Sequence, residues 1–425
     1  PEPAMKRTIY QLTALFLGFG LLILVNGLIN SVLVLRMQVE GFRLEMSGLV
    51  MSAHAVGVLI GPFLVPRLLH RTGHIRLFAI LAAIISVVTL LHSLIVHPLA
   101  WLGLRVISGF ALAGCSMILE SWLNHRAEHG TRGRVLAVYM IVNYLGFGLG
   151  QFLLLAGSPA SFELFSLAAA LFSLALLPIA ATRISEPERP APHVPSFHRL
   201  WRLSPLGTVG CFAAGFIGMA FIAAGPLFAS ARGLDLDAIA LFMGAAVISG
   251  LVLQLPMGRL SDQVDRRKLI AVVSFVFAVV AVAMIFVSRH GAMAATLMIT
   301  LYGAIGYTLY PLALTHANDM IERHDTVALS GGLIFASGLG ASLGPVAATG
   351  AMTVMGPDGL FAVTALMAIG LGIFAIWRVF EGAPVVESAR TDFVSTVATT
   401  PAVAELDPRV HPDIEVTIIG PDEKF

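Results

Sequence analysis

The chain has 425 residues, of which 57% are hydrophobic and only 12% are charged. A soluble domain carries about 25% charged residues, so this composition excludes a soluble catalytic domain and points to a membrane protein. The net charge of +1 says little by itself; the placement of the charges along the chain says more.

Lys6-Arg7 precede an apolar run that is longer than the core of a signal peptide and has no convincing cleavage site after it, so the first helix is expected to be retained. Crossing the hydrocarbon core takes about 20 apolar residues. Twelve runs meet that length: 10–37, 46–69, 75–97, 99–123, 134–157, 161–182, 205–231, 237–261, 267–289, 291–320, 326–352 and 358–381. His97-Pro98 divides the third run from the fourth, Gly157-Ser-Pro-Ala160 the fifth from the sixth, and Gly356-Pro357-Asp358-Gly359 the last two.

Basic residues alternate between the two sides. With the N-terminus inside, 18 Lys and Arg fall on the inner segments, against only Arg36, Arg43, Arg232 and Arg289 outside. The positive-inside rule then puts both termini in the cytoplasm, and a miscounted helix would spoil the alternation. Residues 183–204, with Glu186-Pro-Glu-Arg-Pro-Ala-Pro, read as a cytoplasmic linker between an N-terminal bundle, 1–182, and a C-terminal bundle, 205–381. Residues 382–425 read as a polar, largely disordered cytoplasmic tail, in which a short strand at Ile414–Ile419 has no support. Cys115 and Cys211 lie in apolar runs and read as buried free thiols.

The halves repeat. Gly258-Arg-Leu-Ser-Asp262-Gln-Val-Asp265-Arg-Arg-Lys268 joins runs eight and nine, and a degraded copy, Pro66-Arg-Leu-Leu-His70-Arg-Thr-Gly73-His-Ile-Arg76, lies 192 positions earlier. Such charged segments cannot sit in lipid and must be surface loops. Gly146 and Gly148 match Gly338 and Gly340 at the same distance, and Gly109 matches Gly303 at 194. Small residues let helices approach closely in lipid. Duplicated halves with a site between them near the midplane are a common transporter plan.

The loop pattern Gly-x-Leu-x-Asp followed by Arg-Arg-Lys resembles that of the major facilitator superfamily, and the resemblance covers about residues 8–381. The first copy departs from it, with Pro66 and His70 in place of the usual glycine and aspartate. The resemblance implies an all-α fold of twelve transmembrane helices in two pseudo-symmetric six-helix bundles. It also implies a cytoplasmic latch between the halves built from Asp262, Arg266 and Arg267, with Arg71 in the weaker copy. Arg105 and Gly109 resemble the family's fourth-helix motif, whose arginine is associated with the central cavity and proton coupling; the alternative is an arginine that snorkels outward. Glu120 ending run four and Arg132-Gly-Arg134 opening run five look like the family's cytoplasmic charge network, in which Glu120 is a gate partner or a coupling site. Glu-Ser, Arg-Gly-Arg, Tyr139-Met, Gly150-Gln151 and Gly306-Tyr-Thr-Leu-Tyr-Pro311 resemble the bacterial YcaD-like subgroup.

Other polar residues fall inside the runs. Asn26 and Asn30 share a helix face, as do Tyr139 and Asn143. By orientation Asn26, Asn30, His54, Arg105 and Gln151 fall in the outer half or near the midplane and are candidates to line one cavity of the N-terminal half, with Asn143, Gln254, Tyr302 and Tyr307 as further cavity candidates; for each one alone, an interhelical hydrogen bond is the alternative. Pro311 is expected to bend run ten. His316 and Asp319 are three apart but lack a third ligand in register, and the run from His316 to His324, with Glu322 and Arg323, reads as a helix end, so no metal site is expected.

A helix-five Gly-Pro pair, frequent in drug antiporters, is missing; Gly344-Pro345 stands in run eleven instead. No phosphate-binding loop for ATP and no cofactor motif is found. The expected function is secondary active transport of a small organic solute by alternating access, coupled to protons, by a monomer in the inner membrane of a bacterium. No enzymatic activity and no nucleic acid partner are expected. The alternative is a related receptor, assembly factor or lipid-handling scaffold docked through the tail.

Overall fold

The computed structural model describes residues 2–127, 132–181, 197–320, 326–381 and Phe393. The tail strand at 414–419, most of the linker and residues 322–324 lie outside the described residues. The described part is helical: α1 Glu2–Val39, α2 Leu44–Thr72, α3 His74–Leu94, α4 Pro98–Arg126, α5 Arg132–Gly150, α6 Glu163–Leu174, α7 Leu176–Ala180, α8 Phe197–Leu203, α9 Pro205–Ala231, α10 Leu236–Ile248, α11 Gly250–Gln263, α12 Arg266–Val287, α13 Ala292–Gly306, α14 Leu309–Asn318, α15 Thr326–Met355 and α16 Gly359–Glu381.

By length and composition, 11 described stretches can cross a membrane, which makes this a multi-pass membrane protein. The last stretch, 331–381, is 51 residues long. As one straight helix it would run about 75 Å, more than twice the hydrocarbon thickness. It instead turns at Gly356, which has a φ of 68°. The two arms, α15 and α16, pack on one another. Large apolar side chains such as Val279, Leu297 and Leu366 stay exposed, as a lipid-facing surface requires.

Two helices break where a carbonyl loses its donor. Pro311 has no N–H for the Tyr307 carbonyl four residues back, and α13 stops at Gly306 before α14 restarts at Leu309. Pro178 does the same to Leu174, where α6 ends. The sequence predicts a bend at Pro311 itself; the break falls one turn earlier, at the orphaned carbonyl. Run eight also divides, at Ser249, whose hydroxyl bonds the Ala246 carbonyl at 2.8 Å.

Helices α1–α7 pack mainly among themselves, as do α9–α16. The main pairings between the groups are α2 with α15, α5 with α10, and α1 with α9. Along α2 and α15 the contacts run antiparallel, with Gly48 beside Thr349, Leu59 beside Gly338 and Phe63 beside Phe335. The repeat is visible in the packing. A Cβ on Gly109 would overlap the His54 carbonyl oxygen, and one on Gly303 would overlap the Ala246 carbonyl oxygen. Ala246 stands 192 positions after His54.

Candidate functional site

Arg105 lies seven positions inside α4 and is 1% exposed. Its Nη2 donates to Asn30 Oδ1 on α1 at 2.8 Å, and its Nε has no partner. Asn30 in turn donates from Nδ2 to the Asn26 carbonyl at 2.7 Å and to Asn26 Oδ1 at 3.0 Å. The i, i+4 spacing makes this possible, because both side chains lie on one face of α1. Asn30 is buried, whereas Asn26 is partly exposed. The asparagine pair thus connects an accessible position to an enclosed guanidinium.

His54 on α2 joins this group, its Nδ1 3.4 Å from Ser108 Oγ. His92 on α3 is not among the residues that the sequence singles out. Its Nδ1 donates to the Val88 carbonyl at 2.7 Å, and its ring stands edge-on to Trp101 at 5.3 Å. Both imidazoles lie within electrostatic reach of Arg105. Only the fold brings His92 here, so its place in run three carries no signal.

The structure puts Gln151 elsewhere. It is fully buried, accepting from Ser31 Oγ at 2.6 Å and donating to the Gly27 carbonyl at 3.0 Å, which ties the end of α5 to α1. Tyr302 is enclosed by the rings of Phe221, Phe277 and Phe361, in the aromatic core of the second group. Gln254 and Tyr307 do come together. Gln254 Nε2 donates at 3.2 Å to the Tyr307 carbonyl, the one that Pro311 leaves without a helical donor, and at 3.3 Å to Tyr144 Oη. Tyr144 belongs to α5, so this cluster bridges the two groups of helices. Its ring meets that of Tyr307 edge-on at 5.4 Å. The neighbouring Asn143 is partly exposed.

The two charged loops differ. In the second copy Arg266 is buried, with Nη1 2.5 Å from both carboxylate oxygens of Asp319, Nη2 2.8 Å from Asp262 and Nε 3.0 Å from Ser261 Oγ. It thereby pins the ends of α11, α12 and α14 together, and its charge suits the C-terminal end of α14. Arg267 binds Asp265 and donates to the Arg378 carbonyl at 3.2 Å. The latch reading expects pairs across the two halves; these partners all lie within the second group. The Phe393 N–H donates to Asp262 Oδ1 at 3.0 Å, and its ring packs against Gly258. In the first copy, Arg71 and His70 are exposed. Glu120, at the far end of α4 from Arg105, is fully buried and accepts from Tyr139 Oη at 2.6 Å. Arg134 is exposed and Arg132 partly buried. Among the described residues, no cluster of three His, Cys, Asp or Glu could hold a metal, and both cysteines are free and buried.

The major facilitator superfamily model matches residues 15–307 and 206–404. The chain belongs to this superfamily. The MFS-type transporter YcaD of Salmonella newport (strain SL254) is 30% identical over 333 residues, covering 78% of this chain and 86% of that protein. The YcaD of Salmonella paratyphi A (strain ATCC 9150 / SARB42) is 29% identical over the same length. Among solved facilitator structures, a point mutant of the nucleoside transporter NupG has a TM-score of 0.74 at 13% identity, covering 87% of this chain and all of that one. A bacterial homologue of the lysosomal transporter Spinster, inward-facing and occupied, has a TM-score of 0.72 at 15% identity, covering 90% of this chain and 98% of that one. The D-xylose-proton symporter has a TM-score of 0.69 at 13% identity, covering 90% and 99%. At these identities the likeness shows the fold, which is that of a facilitator.

Proposed function

We propose that the chain is a secondary active transporter that moves a small organic solute across the inner membrane of a bacterium by alternating access, coupled to protons. The observation that carries this reading is Arg105. A charge at membrane depth costs about 2.5–3.5 kcal/mol on insertion scales and is retained where it faces protein or a water-filled path. Here it stands behind the Asn26–Asn30 pair rather than at a lipid surface. The names of two structural neighbours, a nucleoside transporter and a proton symporter of D-xylose, lend support.

In this reading the chain crosses twelve times, with the turn at Gly356–Asp358 separating the last two crossings. The charge alternation supports cytoplasmic termini. The halves are 1–182 and 205–381, joined by the linker 183–204. The α2–α15 and α5–α10 seams are the surfaces on which they rock. Glu120 with Tyr139 is a gate at the inner end of α4, and Arg266 with Asp262 and Asp319 holds the inner end of the second half.

The test is a solute screen in inverted membrane vesicles with a dye that reports the pH gradient. Gradient dissipation by a solute, only when the protein is present, supports proton antiport and export. A response confined to right-side-out vesicles supports symport and uptake. Silence in both contradicts the reading, and equal flux in an Arg105→Ala variant that inserts normally contradicts the part given to Arg105.

A further inference from the structure

We infer that the solute is a small organic anion whose negative group is received by Arg105. This rests on the transport reading above and adds the chemical class of the substrate.

The first observation is the charge inventory. Among Asp, Glu, Lys and Arg in the described spans, Arg105 and Glu120 are the two that lie six or more positions from both span ends, apart from Asp358 in the turn of 331–381. Glu120 stands 15 residues further along the same helix, about 22 Å away, and is bonded to Tyr139. It cannot serve as the counterion of Arg105. The described spans thus place no carboxyl beside Arg105 for it to tune, which leaves an anion from outside the chain as its partner.

The second observation is the immediate surroundings. Among the described residues no carboxylate pairs with Arg105, and its one hydrogen-bond acceptor is the neutral amide oxygen of Asn30. Its Nε is buried with no acceptor at all. The ionisable groups within reach, His54 and His92, are neutral or positive and never negative. An isolated buried cation is unfavourable until it is paired. A cationic solute would raise that cost, and a neutral one would leave it standing. An anion removes it, because the edge formed by Nε and Nη2 matches the two oxygens of a carboxylate or phosphate, and here Nε has no partner and Nη2 meets only a neutral oxygen.

The third observation is the route. Asn26 is partly exposed and linked to Asn30, which occupies Arg105 Nη2. The Asn30 oxygen holds the place that an anionic oxygen would take. Carboxylate and phosphate monoester share this chemistry.

The test uses the purified full chain in proteoliposomes. Small molecules extracted from bacterial cells are separated by ion exchange into anionic, neutral and cationic pools. Each pool is offered under a pH gradient of either direction, and accumulation beyond protein-free liposomes is read by mass spectrometry. Accumulation confined to the anionic pool, and lower by about tenfold or more in Arg105→Gln, is the expected result. Prior treatment of that pool with phosphatase separates the sources: loss of the signal identifies a phosphate ester, and survival identifies a carboxylate. Accumulation from the neutral or cationic pool overturns the anion assignment while leaving transport standing. No accumulation from any pool overturns the transport reading itself. The wild-type protein alone decides between the pools, so the result stands even if the Arg105 variant fails to fold.

Discussion

Arg105 Nη2 lies 2.8 Å from Asn30 Oδ1, and the oxygen that meets this buried cation carries no charge. The two residues are 75 positions apart and belong to different helices. Structural arginines elsewhere in the chain meet carboxylates: Arg36 pairs with Glu40, Arg232 with Asp358, and Arg266 with Asp262 and Asp319. Arg105 stands apart from that pattern at the depth where a carboxylate partner would be worth most.

Gln151 is a clamp between α5 and α1, so Gln151→Ala is expected to lower stability. Interhelical hydrogen bonds in membranes average about 0.6 kcal/mol each. Ser31 can also turn its hydroxyl to the Gly27 carbonyl that Gln151 vacates, so the expected loss is about 1 kcal/mol. Reversible unfolding in mixed micelles would measure it, and no change in stability would contradict the clamp.

The glycines of the repeat predict paired effects. Gly109→Ala would press a methyl group onto the His54 carbonyl, and Gly303→Ala would press one onto the Ala246 carbonyl. Neither backbone can yield without separating two helices, so each variant is expected to lose about 1–3 kcal/mol. Melting in detergent checks this. Gly103 and Gly370 face open space and serve as controls, with little expected change at either.

Arg266 and Asp319 form a pair whose side chains are 2% and 3% exposed. Arg266→Ala takes the guanidinium from a buried carboxylate and is expected to cost about 3–5 kcal/mol, whereas Asp319→Asn leaves Arg266 with Asp262 and Ser261 and is expected to cost less. The double variant should cost clearly less than the sum. A double-mutant cycle on thermal stability measures the coupling, and strict additivity would rule it out.

Asp265 supplies a pH dependence. Partial burial raises its carboxyl, but the hydrogen bonds from the Arg267 side chain and backbone, with the charges of Arg267 and Lys268, lower it by more. The net value lies below that of an ordinary aspartate. Its stabilisation is therefore present in full above the unfolded value of about 4 and is lost as the pH falls through the lowered folded value. The stability gap between wild type and Asp265→Asn is expected to hold from about pH 7 to about pH 5 and to close below about pH 4. A gap that stays constant down to about pH 3 would contradict this.

Much of the fold is legible in the sequence because lipid imposes long apolar runs, and eleven of the described stretches are recognisable by length and composition alone. The helix breaks are less so. Pro311 points to run ten, but the break falls where the missing N–H leaves the Tyr307 carbonyl free for Gln254. Arg105 stands out because a mid-run charge is costly. Its surroundings are legible in part: orientation puts Asn30 and His54 at its depth, whereas His92 comes to it from a third helix with no signal in the sequence. Gln151 shows how composition misleads: a polar residue in an apolar run reads equally as cavity or clamp, and only its contacts with Ser31 and Gly27 separate the two. Asp319 reads in sequence as part of a helix end, yet it anchors Arg266 across 53 positions of chain.

That Arg105 receives the solute is tested most directly by solute flux in an Asn30→Asp variant. The change places a carboxylate where the neutral oxygen now meets Arg105 and supplies an internal anion to compete with the solute's own. The expected protein inserts and transports at a small fraction of the wild-type rate. Wild-type flux with the carboxylate in place would contradict the assignment, because the Arg105 charge would then be dispensable to the solute.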